Sequence, residues 1–325
     1  MKTLVFLIAM ASPFSVVWKD KTPMPRAEGG ASSALVGDEL IIAGGTNWDS
    51  GQKTWMRDVQ IYNIKTDKWR MGPTLPSPAA YGPAVVTPKG MEILGGSEGQ
   101  RIFRTTWRLE GQGWVETGAA PHDTQLGRAA RVGESIYLLG GCSDVADLTR
   151  CTSNVAARKW NASQWESKAP LPVAGVAMGA VAVARGKIYY FGGCSMPSAG
   201  KLINRLEAHV YDPASNRWSR LHDLPRGNRA LTGVAVRDRY IYLLGGFNAT
   251  QEEAKGKGPA FGFTSEVWVY DIDTNNYTAS TAMPIAVAGG DFFLHGDTIY
   301  GGGGEDKMKS RIARLVAGQL QGSSK

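Results

Sequence analysis

The chain has 325 residues, 41 of them glycine and 10 tryptophan, with 20% charged residues and a formal net charge of +7. That composition is globular and rich in turns, too apolar for disorder, and without the run of about 18 apolar residues that a membrane helix needs. The basic residues are scattered among the turns and form no stripe, which argues against a nucleic-acid surface and leaves room for small anionic ligands.

The N-terminus reads MKTLVFLIAMASPF. Lys2 is a minimal positive region, Leu4 to Ala11 is an apolar stretch, and Ala9-Met10-Ala11 has the A-x-A form of a cleavage site. Residues 1–11 therefore read as a signal peptide, with 12–325 a single domain and a periplasmic or secreted location. The rival reading is an ordinary apolar N-terminal strand.

From Trp18 onward a repeat takes over. Apolar strands end in a diglycine at Gly45, Gly96, Gly141, Gly193, Gly246 and Gly304, at intervals of 51, 45, 52, 53 and 58 residues. Each is preceded by a strand of small residues, as in GGASSALV, VAMGAVAVA and LTGVAV. After each comes a variable loop and an alternating strand. A turn then leads to a strand carrying an aromatic: Trp69, Trp114, Trp165, Trp218 or Tyr277. A proline-containing loop opens the next unit. Four short antiparallel strands per unit, six times over, predict an all-β fold. The last unit, ending in RIARLVAGQL, lacks its aromatic strand, and VVWKDKTPMP around Trp18 supplies it from the other terminus.

The spacing near 50 with a diglycine and a tryptophan resembles the Kelch repeat over nearly the whole chain. The resemblance implies a six-bladed Kelch β-propeller whose last blade is closed by the N-terminal strand. In such a ring the small-residue strands crowd the central channel, and the tryptophans pack between blades.

Three cysteines are present. Cys142 and Cys151 bracket one loop and suit a local disulfide in an exported protein, which leaves Cys194 free; three unpaired thiols is the competing reading. There is no CxxC or Cys/His cluster. His122, His209, His222 and His295 are scattered, so neither a metal nor a cofactor is expected. The same scatter argues against a copper radical oxidase.

Strand order puts the loops after the diglycines and the proline loops on one rim. Glu305, Asp306 and Arg311 thus share a face with Arg26, Arg128, Asn228, Arg229 and the longest loop, 247–264. Read from residues alone, a Glu and an Arg six apart on a loop are more often a surface ion pair than a site. The stretch Gly304-Glu305 … Arg311, followed by RIARLVAGQL, however resembles the active-site segment of the N-acetylneuraminate epimerase (sialic acid mutarotase) family, in a cyclically permuted arrangement. That resemblance implies a mutarotase that interconverts anomers of N-acetylneuraminate or a related 2-keto sugar acid. Glu305 would act as base, and Arg311 would fork onto the sugar carboxylate or steady developing charge. Arg229, Arg128, Asn228 and Asp306 are the candidate substrate contacts. Each arginine alone is more often a charged strand end facing solvent. The alternative is a non-catalytic Kelch propeller binding a protein or glycan partner.

Overall fold

A computed structural model describes residues 15–144 and 147–321. The signal peptide expected over 1–11 lies outside the described residues. Six four-stranded antiparallel sheets follow one another around a channel. Blade 1 runs through Ser32–Val36, Glu39–Ala43, Val59–Asn63 and Lys68–Met71, and blade 2 through Ala84–Thr87, Gly90–Glu98, Arg101–Glu110 and Gly113–Ala119. Blade 3 comprises Arg128–Val132, Ser135–Cys142, Cys151–Lys159 and Glu166–Lys168. Blade 4 comprises Ala180–Ala184, Lys187–Phe191, Ala208–Asp212 and Arg217–Arg220, and blade 5 Thr232–Val236, Tyr240–Leu244, Val267–Asp271 and Asn276–Ala279. Blade 6 takes Asp291–His295, Thr298–Gly302 and Leu315–Leu320 from the C-terminal end, and Val16–Asp20 from the N-terminal end.

The expected closure is present, in a slightly different register. Val16–Asp20 pairs with Leu315–Leu320, from Val16 opposite Leu320 to Asp20 opposite Val316. The run RIARLVAGQL begins at Arg311, whereas the paired strand begins at Leu315. It starts later because Ile312 is first used in a bridge to Glu28, and the Arg314 carbonyl accepts from Gly303 N–H. The innermost strands touch in succession, and Ser32–Val36 meets both Ala84–Thr87 and Asp291–His295, so the ring is complete.

Apolar packing is concentrated in the seams between blades, with one smaller cluster around Cys142, Ala177 and Cys194 in the rim loops. Val234, Val269, Phe292 and Val316 fill the seam between blades 5 and 6, while Leu40, Ile42, Tyr62 and Leu315 fill that between 6 and 1. Matching clusters lie at each of the other four seams. The second strand of each blade is continuously apolar because it faces a neighbouring blade on both sides, as Ile41 and Ile42 do from adjacent positions.

The aromatic of each last strand fastens its blade to the one before. Trp69 Nε1 donates to Thr22 O at 2.8 Å, Trp114 to Pro73 O at 2.9 Å, Trp165 to Ala119 O at 3.0 Å and Trp218 to Ala169 O at 2.9 Å. Tyr277 replaces the indole with a hydroxyl donating to His222 O at 2.9 Å. Trp18 completes the set with Thr281 O at 3.3 Å. The rings are partly buried at the seams, and each indole N–H finds the linker carbonyl of the preceding blade within reach.

Cys142 and Cys151 are disulfide-bonded and sit opposite each other in the ladder of blade 3. Cys194 is free and buried, its thiol pushed up to about 11 by loss of solvent, which leaves it unreactive. The post-diglycine loops carry structure the sequence reading left out: ribbons at Thr46–Asn47 with Thr54–Trp55 and at Cys194–Ser195 with Ile203–Asn204, and a short helix at Gln251–Ala254. No helix of the described residues is long and apolar enough to cross a membrane.

Candidate functional site at the channel mouth

The residue after each diglycine bridges to the loop that enters the same blade. The pairs are Thr46 with Gly29, Ser97 with Ala80, Cys142 with Gln125, Cys194 with Ala177, Phe247 with Arg229 and Glu305 with Ala288. Glu305 is thus the one charged residue at a sixfold-repeated position. The next residue of each entering loop is Gly30, Tyr81, Leu126, Met178, Ala230 or Gly289, and all six have φ between 55° and 70°. Their backbones form a chain around the channel: Tyr81 N–H donates to Gly30 O, Leu126 to Tyr81, Met178 to Leu126, Ala230 to Met178 and Gly289 to Ala230, at 2.7 to 3.0 Å. Four non-glycine residues at positive φ store on the order of 1 kcal/mol each, and that strain is held where the channel opens.

The ring encloses a cavity of about 270 Å³. Tyr81, Leu126 and Met178 give it an apolar crescent, and Phe247, Phe263 and Met308 a second apolar flank. The glycine side of the ring, Gly289 and Gly30, leaves space in which Glu305, Arg229, Arg128 and Asp291 reach the wall. A further space of about 190 Å³ continues down the channel and shares Ala31, Gly82, Arg128 and Asp291 with the first.

Glu305 and Arg311 meet, with Arg311 Nη1 at 2.6 Å from Glu305 Oε1. The arginine is nevertheless fully committed. Its Nη1 also donates to Ser310 O at 2.7 Å, and its Nε and Nη2 to Thr46 Oγ1 at 3.2 and 2.8 Å. Its side chain is 3% exposed and does not line the cavity. The resemblance implied that Arg311 would fork onto the sugar carboxylate or steady developing charge; here its Nε–Nη2 edge is taken by Thr46 and its Nη1 holds Glu305. Gly29 makes this possible, since a Cβ there would lie 2.5 Å from Arg311 Cδ. The Glu305 carboxyl titrates above its usual range because burial outweighs the attraction of Arg311, Lys53 and Arg229.

Arg229 lines the cavity with its guanidinium stacked 4.1 Å from the centre of the Phe247 ring and hydrogen-bonded to Asn204 Oδ1. Burial lowers its pKa. Arg128 lines the opposite wall and donates from Nε to Gly179 O at 2.5 Å. Among the described residues neither Arg128 nor Arg229 is ion-paired with a carboxylate. Asn228 and Asp306 are not brought to the cavity. Asn228 is buried behind the diglycine of blade 5, donating to Gly245 O at 2.9 Å, and Asp306 stands outside the lining. Arg26, on the same rim, is used by Asp58 at 2.7 Å.

Asp291 was missed in the sequence. It opens the innermost strand of blade 6, at the position held by Ser32, Arg128 and Thr232 in blades 1, 3 and 5. Those three each donate a side-chain hydrogen bond to a carbonyl of the next blade, at 2.5 to 2.8 Å. Asp291 bonds to Ser33, and burial raises its pKa. The signal was available: a charge in a strand otherwise built of small and apolar residues is out of pattern. Tyr81 was missed because nothing in its local sequence announces a tyrosine with φ of 62°.

A family model described as the KLHDC2/KLHL20/DRC7 Kelch-repeats domain matches residues 126–316, and a Kelch-motif model matches residues 29–76. The chain belongs to the Kelch-repeat family. Among similar Kelch proteins are Kelch-like protein terF of Aspergillus terreus, 30% identical over 193 residues, and Kelch-like protein 36 of Mus musculus, 32% identical over 212. These alignments cover 58% and 62% of this chain, and 41% and 32% of the relatives. The N-acetylneuraminate epimerase of Haemophilus influenzae is 27% identical over 223 residues, covering 60% of this chain and 56% of that protein. This Kelch propeller therefore spans about a third to just over half of the length of these three relatives.

Proposed function

We propose that the chain is a Kelch propeller that binds a carboxylate-bearing partner, protein or glycan, at the mouth of its channel. One observation carries this: Arg128 and Arg229 line one cavity and neither is ion-paired with a carboxylate among the described residues. Burial disfavours the charge on Arg229, and Glu305 on the same wall offsets that only in part, so an incoming anion gains more here than at an exposed arginine. The apolar crescent opposite supplies contact area and excludes water. The Cys142–Cys151 bond favours an oxidising compartment, in line with a periplasmic or secreted location. Ligand-observed NMR with a set of small carboxylic acids and their matched amides tests the reading. Acids should bind preferentially, and Arg128→Gln with Arg229→Gln should remove at least tenfold of that affinity, the scale of a charged hydrogen bond. Equal binding of acids and amides would refute it.

A second reading, N-acetylneuraminate mutarotation, is favoured by Glu305: a carboxyl on the cavity wall, raised in pKa and held in place by Arg311. In that reading Glu305 takes the anomeric hydroxyl proton, and Asp291 on the same wall, its pKa raised by burial, would give one to the ring oxygen as the C–O bond opens. Reclosure reverses both transfers. The likeness to the Haemophilus epimerase supports it. Proton NMR of freshly dissolved N-acetylneuraminate should show faster anomer equilibration with the protein, and Glu305→Gln should cut the acceleration by roughly a hundredfold. Equilibration at the spontaneous rate would remove this reading and leave the first intact.

A further inference from the structure

Beside the mouth lies a second depression of about 480 Å³, built on the 247–264 loop. It shares Arg229, Phe247 and Met308 with the mouth, so a single wall separates the two: the Arg229 guanidinium stacked on the Phe247 ring. Its other walls are Leu202, Ala249, Ala254, Pro259 and Phe261. Phe261 is 40% and Met308 60% exposed, an unusual amount of apolar surface to leave open side by side.

The loop is fixed in place. Glu253 pairs with Arg226 at 2.7 Å, Gln251 Nε2 donates to Gly200 O at 3.0 Å, and Met308 N–H donates to Pro259 O at 2.9 Å. Blades 4, 5 and 6 thus hold one preformed wall. The lining charges are all positive: Arg229, Lys255 and Lys257, with no carboxylate among them. Lys255 is balanced by Glu252 at 2.6 Å, while Lys257 lies over the Phe261 ring and is in no ion pair among the described residues.

We propose that the mouth and this lateral pocket form one surface for an extended segment of a protein partner. One carboxylate side chain enters the mouth at Arg128 and Arg229, and an apolar side chain two residues away fills the lateral pocket. The proposal rests on the reading of the mouth as a carboxylate site and narrows its ligand to a polypeptide. In an extended strand, residues i and i+2 point to the same side about 6.6 Å apart. Successive same-side positions of a strand suit two adjacent pockets that share Arg229, Phe247 and Met308 in their walls. A glycan fits the lateral pocket less well, because most of its wall is leucine, alanine, proline, phenylalanine and methionine, and the polar groups there are Thr250, Gln251 and the cations Arg229, Lys255 and Lys257, with no carboxylate to accept from its hydroxyls. Charge complementarity points the same way, towards a segment with acidic residues.

The test uses fluorescein-labelled octapeptides, acetylated and amidated to remove terminal charges, with Glu at one position and Leu, Met, Phe, Ala or Lys two residues on. Fluorescence anisotropy with the full chain should give roughly tenfold or more tighter binding for Leu, Met or Phe than for Ala, the scale of burying one such side chain. Ala254→Trp, which fills the pocket from the surface helix, should erase that preference while leaving the dependence on Glu. Arg128→Gln should weaken all the peptides alike. Equal affinity for every residue at the second position, or a preference that survives Ala254→Trp, overturns the inference. If no peptide binds but a free sugar acid does, in an Arg128-dependent way, the inference falls and the mouth reading stands. If neither binds, both fall.

Discussion

Removing residues 16–21 should destabilise the propeller by about 4 kcal/mol or more and lower the midpoint of thermal unfolding by roughly 10 °C. The strand Val16–Asp20 is the fourth strand of blade 6, and its loss exposes the whole hydrogen-bonding edge of Leu315–Leu320. It also removes Val16, which is buried in the seam against blade 5, and Trp18, whose indole fastens blade 6 to Thr281. The Asp20–Arg314 pair at 2.6 Å is exposed and contributes little. A full-length control, Val16→Asp, places a charge at the buried position and should reproduce much of the loss. Calorimetry showing both variants within about 2 °C of the parent would contradict the closure as the source of ring stability.

The second large effect is a fall in stability as pH rises from 5.5 to 8, caused by Glu28. This residue is 3% exposed at the seam between blades 6 and 1. Its carboxyl lies between two diglycines: a Cβ at Gly45 or at Gly303 would come within 2.6 Å of one of its oxygens. Burial, and then the nearby Asp291, push its pKa from 4.5 to about 8, against the pull of Arg311 and the Ala31 N–H. The sign follows from proton counting. Between pH 4.5 and 8 the folded state holds a proton that the unfolded chain has released, so stability is fully present below 4.5 and is lost on the way up to 8. At about 1.4 kcal/mol per pKa unit the loss is on the order of several kcal/mol. His122 and His209, whose pKa values burial lowers, act in the opposite sense below about 6.5. The contribution of Glu28 is therefore read as the difference between the parent and Glu28→Gln, by denaturant unfolding at pH 5.5 and 8. The variant should show a markedly smaller drop, and parallel profiles for the two proteins would exclude Glu28.

For the mouth itself, the useful contrast is between the two arginines that the sequence treated together. Arg311 and Arg229 share a rim in both descriptions. Arg311 is consumed by Thr46, Ser310 and Glu305, whereas Arg229 keeps its guanidinium on the cavity wall. A sequence pattern carries the presence of a charge but not its hydrogen-bond partners, because those come from residues far away in the chain: Thr46 is 265 positions from Arg311.

What the amino-acid sequence determined by itself is the repeat and its consequences. Six diglycines, six runs of small residues and five spaced aromatics define four strands per unit. A unit missing one strand at one end and a spare Trp18 strand at the other leave a single way to close the ring. Those features are local and periodic, and backbone sterics and burial translate them directly into strands and seams. What only the tertiary structure decided is which side chains stand free around the channel. Six entering loops must take left-handed residues at one level, which turns Tyr81, Leu126 and Met178 inward. Innermost strands from opposite sides of the ring bring Arg128 and Asp291 to one channel. Loops of blades 4, 5 and 6 build a pocket that none of them contains alone. Each depends on distances between units separated by 50 or more residues, which are set by ring closure and not by any local preference.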